Sequence, residues 1–314
     1  MANFAMPTPT REEIRRGILY IVAAVFVFAV VNALVKWQVA TYPVTEVVFF
    51  RCWFALLPGV VLIAANGGIG ALRTRRPFAH VSRAAVQFLS MIAIFTAFKL
   101  MPLADAVAIT FANPLFLTVL SIPLLGEKVG LHRWGAVLVG FAGVMIMVQP
   151  GPGVLESGAL FALANAFLGA AITISLRRMS LTETSTALVV WQLATTAILS
   201  TLLLPLGWIT PTPWDAAVLA LIGLGSGVGQ YLWTQAFRFA PAAVAAPFSY
   251  TAMIWAMLLG FAIWGDVPTL ALLVGAIVVA ASGLYILYRE TARRRAAQPT
   301  AQPASELRAA GGDD

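Results

Sequence analysis

Apolar runs of about 20 residues recur along this chain, and most of its charges fall in the short stretches between them. A helix rises about 1.5 Å per residue, so each run is long enough to cross the roughly 30 Å hydrocarbon core of a bilayer. Backbone polar groups in lipid must be satisfied internally, which restricts such a chain to a bundle of membrane-spanning helices. Composition agrees, since 60% of the 314 residues are hydrophobic, 11% are charged and mean hydropathy is +0.88. A soluble domain cannot hide that much apolar surface.

Hydropathy places spans near 17–38, 44–65, 82–101, 104–125, 132–149, 157–176, 184–206, 216–237, 241–263 and 268–288. The first follows Arg15-Arg16 like the core of a signal peptide, but it continues to about Trp37 and is read as a retained span. Tyr42-Pro43, Asn66-Gly67-Gly68, Gly151-Pro152-Gly153 and Pro211-Thr212-Pro213 punctuate connections too short to hold a soluble domain. With the N-terminus inside, all but Lys36, Arg51 and Lys99 of the 20 basic residues fall on the inner side. The outer connections 150–156, 207–215 and 264–269 contain neither Lys nor Arg. The positive-inside rule then sets both termini in the cytoplasm and requires an even number of spans. The expected organisation is a cytoplasmic N-terminus (1–14), two five-span units (15–150 and 151–290) and a disordered cytoplasmic tail (291–314) in an inner-membrane protein.

The net charge of +7 is dispersed over connections and tail, so it offers no nucleic-acid surface. Cys52 lies inside an apolar run, which leaves neither a disulfide nor a thiolate cluster for a metal. His80 and His132 fall in basic connections and read as solvated loop residues. No cofactor and no metal is called for.

The chain repeats itself. Phe98-Lys99-Leu100-Met101-Pro102 returns as Phe237-Arg238-Phe239-Ala240-Pro241, an offset of 139, and the same offset carries Gly126-Glu127 to Gly265-Asp266. Gly135 and Gly143 match Gly275 and Gly283 one residue further on, and Asn32 to Lys36 match Thr173 to Arg177 at offset 141. Five spans is an odd number, so the second copy enters the membrane from the opposite side. Inverted pairs of this kind recur in secondary transporters, with a site between the repeats that faces each side in turn.

Ala104-Asp105-Ala106-Val107-Ala108-Ile109-Thr110-Phe111-Ala112-Asn113-Pro114-Leu115, continuing to Gly126-Glu127, resembles the fourth-helix signature of the drug/metabolite transporter superfamily, EamA type. Ala242 to Pro247 and Trp264-Gly265-Asp266 resemble its second copy, with Asp266 where Glu is usual. The resemblance spans residues 15–290 and implies a ten-helix basket with a central cavity lined from both halves, the fifth and tenth helices lying peripherally. It implies a metabolite or amphiphile as cargo without naming one. Glu127 and Asp266 are read as closing groups at span ends.

Ionisable and polar groups inside spans are the natural candidates for a pathway. Arg51 lies about seven residues into the second span, where it meets an anionic substrate group, a protein partner or, by snorkelling, the interface. Asn113-Pro114 breaks the fourth span, because proline leaves the Thr110 carbonyl without a donor; Pro247, with Ser249, Tyr250 and Thr251, does the same in the ninth. Tyr231, Gln235 and Arg238 fall on one face of the eighth span, with Gln230 and Trp233 beside it, a polar and aromatic set suited to an organic solute or to helix contact. Gln192 with Trp191, and the repeat-matched pair Asn32 and Thr173, complete the pathway set. Lys36, Glu46, Lys99, Arg177 and Arg238 sit near span ends as gates or interfacial anchors.

Gly223, Gly225, Gly227 and Gly229 follow no strand and are read as helix packing, not as a phosphate loop. Gly135, Gly140, Gly143, Gly275 and Gly283 give the fifth and tenth spans small-residue faces that would also suit a homodimer. An intramembrane enzyme would need clustered carboxylates or a histidine pair, and every Asp and Glu lies at a span end, loop or tail. A channel or structural protein is the alternative, disfavoured by the repeat and by the lack of a charged ring. No nucleotide-binding motif supplies a pump. The expected function is a secondary transporter for a small organic metabolite, with facilitated diffusion, exchange and coupling through Glu46, Asp105 or a loop group all left open.

Overall fold

The computed structural model describes residues 10–65, 72–126, 130–149, 157–180, 182–240 and 242–296, and every regular element among them is helical. The first half holds α1 (Arg11–Thr41), α2 (Val44–Ala65), α3 (Pro77–Leu100), α4 (Leu103–Thr110), α5 (Asn113–Leu125) and α6 (Leu131–Val148). The second holds α7 (Ser157–Met179), α8 (Ser185–Leu202), α9 (Pro213–Phe239), α10 (Ala242–Ala245), α11 (Thr251–Trp264) and α12 (Leu270–Ala296), with a 3₁₀ turn over Ala246–Tyr250 joining α10 to α11. Counting α4–α5 and α10–α11 as one broken span each gives ten membrane helices in two inverted sets of five.

Two spans are longer than hydropathy alone indicates. Thr10 opens α1 with a capping box, accepting the Glu13 N–H while the Glu13 carboxylate accepts the Thr10 N–H, so the helix begins several residues before its apolar stretch. At the other end α12 runs on to Ala296, so the tail expected to be disordered from 291 starts as helix; its later residues, like Glu127, lie outside the described residues.

The fourth span breaks where proline predicts. Pro114 cannot donate to the Thr110 carbonyl, and the backbone tightens to three-residue bonds from Phe111 N to Ala108 O and from Ala112 N to Ile109 O. Pro247 produces the 3₁₀ turn in the ninth span. Both broken spans then end on a left-handed glycine, Gly126 (φ 68°) and Gly265 (φ 73°), a conformation that a Cβ would strain.

Packing is symmetric under exchange of the halves. The α1–α9 pairing is matched by α7–α3, α2–α9 by α8–α3, and α1–α11 by α7 with α4 and α5. The pairs α2–α8, α4–α11 and α6–α12 map onto themselves. That is the contact pattern of a twofold relation, and it could not arise from chance likeness among leucine-rich helices.

Small residues allow the closest approaches. A Cβ on Gly223 or Gly227 would strike Phe54 or Pro58 of α2, and one on Gly225 or Gly229 would strike Val31 or Phe28 of α1. One glycine run thus seats α9 against two helices at once. On α6 and α12 a Cβ at Gly143 would lie 2.9 Å from the Gly275 carbonyl, and Ser282 Oγ donates to Ala136 O at 2.5 Å. The small-residue faces that could have served a homodimer are occupied inside the chain, except at Gly135, where nothing lies within 4 Å of an added Cβ.

Each end of the bundle carries a polar clasp between the halves. At the end holding the α1–α2 and α8–α9 connections, Asp215 accepts from Tyr42 Oη (2.8 Å), Thr212 Oγ1 (2.6 Å) and Gln38 Nε2 (3.3 Å). Glu46, fully buried, accepts the Ile209 N–H at 3.0 Å. Burial and the hydrogen bond to Asp215 both hold the Tyr42 phenol above its ordinary pKa. At the opposite end Arg83 Nη2 donates to Leu188 O at 2.5 Å, Trp191 Nε1 donates to Leu72 O at 3.0 Å, and His80 Nε2 lies 3.5 Å from Glu183 Oε2. His80 is fully buried, not the solvated loop residue its basic surroundings suggested. The helix that Pro77 opens turns its ring inward against Trp191, at 5.5 Å between ring centroids.

Two stability outcomes follow. Gly275→Val forces α6 and α12 apart and costs about 1–3 kcal/mol by overpacking, whereas Gly135→Ala leaves the melting temperature of the purified protein unchanged. Tyr42→Phe and Asp215→Asn each lower that temperature, and the double variant loses less than the sum of the two because they share one contact; strictly additive losses would refute the clasp.

Candidate functional site

A cavity of about 300 Å³ lies between the halves, at the level of the two helix breaks. The first half supplies Phe28, Ala29 and Asn32 from α1 and Val107, Thr110, Phe111, Asn113 and Pro114 from α4–α5; the second supplies Trp233 from α9 and Ser249, Ala252 and Ala256 from the ninth span. None of its lining residues is charged.

Local chemistry explains how these side chains come to face one another. The tightened turn after Thr110 points Phe111 across to Tyr250, and the rings stack at 4.8 Å and 22°. Asn113 Nδ2 donates to Ala166 O of α7 at 3.1 Å, which fixes the broken span to the other half; Gly169 provides the room, since a Cβ there would lie 2.5 Å from that nitrogen. Phe28 and Trp233 meet edge to face at 6.3 Å and 63°. Aromatic faces therefore line one part of the wall, while Asn32, Thr110, Asn113 and Ser249 place polar groups around it. Such a site can stack a planar ring and hydrogen-bond its periphery without demanding a net charge.

Of the residues singled out from sequence, Asn32, Asn113, Pro114 and Trp233 line this cavity, and Tyr250 stands behind Phe111 with its hydroxyl against Gly283. Gln230, Tyr231 and Arg238 do not reach it: they lie on the exposed face of α9, because the glycines and Ser226 take the face that packs on α1 and α2. Gln235 is half-buried with its Oε1 unpartnered among the described residues, and both amide atoms of Gln192 are likewise buried without a partner there. Thr173 is exposed, its hydroxyl donating to Gly169 O at 2.9 Å. Phe28 and Phe111 were overlooked in the sequence, although Phe28 stands one helical turn before Asn32 and Phe111 two residues before Asn113.

Arg51 sits apart from the cavity lining. Its Nε donates to Ser226 Oγ of α9 at 2.9 Å, its Nη1 to Met91 Sδ of α3, and the guanidinium lies 5.5 Å from the Phe95 ring centroid. It ties α2 to α3 and α9 through neutral partners. Lys36 closes the end of α3, donating to Met101 O at 2.7 Å and Phe98 O at 3.3 Å, where the unpaired carbonyls of a helix C-terminus favour a cation. Lys99, Arg177 and Arg238 are exposed near the ends of α3, α7 and α9.

The same chain resembles known proteins along nearly all its length. The EamA-like transporter family matches it twice, over residues 15–149 and 156–288. A riboflavin transporter of Rhizobium johnstonii is 29% identical over 290 residues, covering 91% of this chain and 95% of that protein. An S-adenosylmethionine uptake transporter of Rickettsia prowazekii is 28% identical over 78% of this chain and 83% of its own length. The pseudopaline exporter CntI of Pseudomonas aeruginosa is 28% identical over 85% and 94% respectively. A crystal structure covering 90% of this chain and 98% of its own superposes with a TM-score of 0.61 at 20% identity, which speaks to the fold alone. With two family matches that together span both halves, this chain belongs to the EamA-like transporter family, and it is a multi-pass membrane transporter of small metabolites, not an enzyme.

Proposed function

We propose that the chain moves a small polar molecule bearing a planar heteroaromatic ring, bound in the cavity between Phe28, Phe111 and Trp233, with both termini in the cytoplasm and the cytoplasmic membrane as its site. The observation that carries this reading is the position of the cavity: it lies at the two breaks, between elements of both halves, where a rocking of one half against the other exposes it to each side in turn. Residues 15–150 and 151–290 are the two moving units. The three aromatic walls supply stacking, and Asn32, Thr110, Asn113 and Ser249 supply donors and acceptors at the ring's edge. Riboflavin and S-adenosylmethionine, the cargoes named for two relatives, share that chemistry, a flat nitrogen heterocycle on a polar tail. The cavity stands at the lower end of the range for ligand pockets, about 300–1,000 Å³, which suits one such ring with part of its tail.

Arg51 enters as an organiser of α2, α3 and α9, since its contacts are hydroxyl, thioether and ring. The basic residues of the inner connections orient the bundle.

Riboflavin and S-adenosylmethionine, tested separately on the purified protein, are expected to raise its melting temperature, by about 2.7 kcal/mol of stabilisation at a hundredfold excess over Kd, and Trp233→Ala and Asn113→Ala abolish the shift. A library of planar heterocycles that yields no stabilisation and no vesicle uptake would refute the cargo class. Arg51→Ala lowers transport far more than it lowers membrane insertion; unchanged uptake at normal expression would remove its role. Site-directed labelling is expected to place residues 67–80 and 178–183 on one face of the membrane, and opposite faces would end the two-way access reading.

A further inference from the structure

The cavity between the halves has a polarity as well as a shape. A wall without charges favours a cation or an anion according to whether the polar atoms it presents accept or donate. Thr110 spends its one hydroxyl hydrogen on Val107 O at 2.6 Å, so toward the cavity its oxygen can only accept. Asn113 turns its amide nitrogen to Ala166 O and Gly169 of α7. A carbonyl partner requires the nitrogen on that side, and Oδ1 is therefore the atom left for the cavity. Pro114 withholds the helical donor from the Thr110 carbonyl, which adds a third acceptor at the break. The start of α5 makes no anion nest, because Pro114 has no N–H and the N–H groups of Leu115 and Phe116 both go to Ala112 O. Against these acceptors stand only the neutral donors of Asn32, Ser249 and the Trp233 indole, while Phe28, Phe111 and Trp233 contribute rings whose faces attract positive charge.

The bundle already holds cations by these means. Arg51, well inside α2, keeps its guanidinium 5.5 Å from the Phe95 ring centroid, with the Ser226 hydroxyl and the Met91 thioether as its other partners. Lys36 stands 5.3 Å from the Trp264 ring centroid and donates to two backbone carbonyls, with Asp105 and Asp266 as its charged neighbours. Both side chains spend their donors on these partners, so neither offers an anion site to the cavity. The charged residue nearest the wall in sequence is a carboxylate, Asp105, between the lining residues Leu103 and Val107. A second cavity, of about 330 Å³, repeats the pattern at the end of the bundle, bordered by the indoles of Trp37 and Trp264. It lies where α1 ends at Thr41 and α11 at Trp264, and the carbonyl ends of two helices favour positive charge.

We propose that the central cavity selects a cationic heterocycle, one with its positive charge on or beside the ring and its N–H groups directed at Thr110 and Asn113, and that it discriminates against anions. This rests on the cavity being the cargo site and narrows the cargo class. A neutral ring is held by stacking and by bonds to the acceptors. A positive charge adds its attraction to the ring faces of Phe28, Phe111 and Trp233. A carboxylate in the same place meets the oxygens of Thr110 and Asn113, with no charged donor to offset the loss of its water. Affinity therefore falls from cation to neutral molecule to anion on one and the same ring.

The test titrates the purified full-length protein calorimetrically with three probes built on one ring: quinoline-3-carboxamide, its N-methylquinolinium cation and quinoline-3-carboxylate. The cation is expected to bind about tenfold more tightly than the neutral amide or better, which is about 1.4 kcal/mol and within reach of a desolvated cation–π contact. The carboxylate is expected to bind more weakly than either. S-adenosylmethionine is expected to show the same preference over S-adenosylhomocysteine, which lacks the sulfonium charge and keeps the ring and tail. Phe28→Leu removes one ring and is expected to lower the cation-to-neutral affinity ratio by about threefold, whereas Phe28→Tyr retains it; Phe111→Leu serves where Phe28→Leu does not fold. Equal affinities, a preferred carboxylate, or a ratio untouched by loss of either ring overturns the charge selection, and leaves the cavity as the ring site so long as Trp233→Ala abolishes binding. Binding that survives Trp233→Ala, or none by any of the five probes, overturns the cargo reading as well.

Discussion

The demand that every backbone amide in lipid find a partner governs this molecule. It forces ten helices where a soluble chain would have choices, and it makes each interruption of a helix costly unless protein surrounds it. The two interruptions here, after Thr110 and over Ala246–Tyr250, are placed face to face in the middle of the bundle, where threonines of the broken spans donate to backbone carbonyls beside the breaks. Thr110 Oγ1 donates to Val107 O at 2.6 Å, Thr118 Oγ1 to Pro114 O at 3.0 Å, and Thr251 Oγ1 to Phe248 O at 2.7 Å. The broken backbone and the cavity are two aspects of one arrangement. A helix bent away from its axis leaves space, and only where a space is shared with another helix can the bend persist.

The inverted repeat turns one such bend into a site with two faces. Each half brings its own broken span, and α4 and α11 meet at the centre in a pairing that the twofold relation maps onto itself. The peripheral pair α6 and α12 is held by contacts between glycine backbones and a buried serine bond, a rigid strut that has no part in the cavity wall. Rigid outer helices with a polar, broken interior divide the work of holding shape from that of binding. The carboxylates divide as well: Glu46, Asp105 and Asp215 lie at the end of the bundle that lacks arginine, where Lys36 neutralises the carbonyl end of α3.

How much of this was legible in the sequence follows from which interactions are local. Span number, the proline breaks and the packing role of the glycine run are matters of helix chemistry within a few residues, and they could be read directly. Asn32, Asn113, Pro114 and Trp233 were picked out because a polar group or a proline in an apolar run announces itself. Phe28 and Phe111 announced nothing, being two among 19 phenylalanines. The polar stripe of α9, Tyr231, Gln235 and Arg238, was read as facing a solute or another helix, and the structure leaves Tyr231 and Arg238 exposed with Gln235 half-buried. Its glycines pointed inward instead, and periodicity alone cannot say which of two faces a partner will cover. His80 was misread for a related reason: the arginines just before it in sequence, Arg73, Arg75 and Arg76, are water-facing, but its neighbours in space include residues 183 and 191, across the repeat boundary.

That last case shows what the doubled architecture permits. A symmetric duplication would give both ends of the bundle the same clasp, and hence the same tendency to open under the same conditions. At the two ends of the bundle the halves meet through different groups, Tyr42 with Asp215 at one and His80 beside Glu183 at the other. A phenol held to a carboxylate closes one end, and an imidazole beside a carboxylate closes the other. A carrier made of two like halves acquires a difference in free energy between its two openings only through side chains that differ at its two ends, and that difference sets how its conformations are populated.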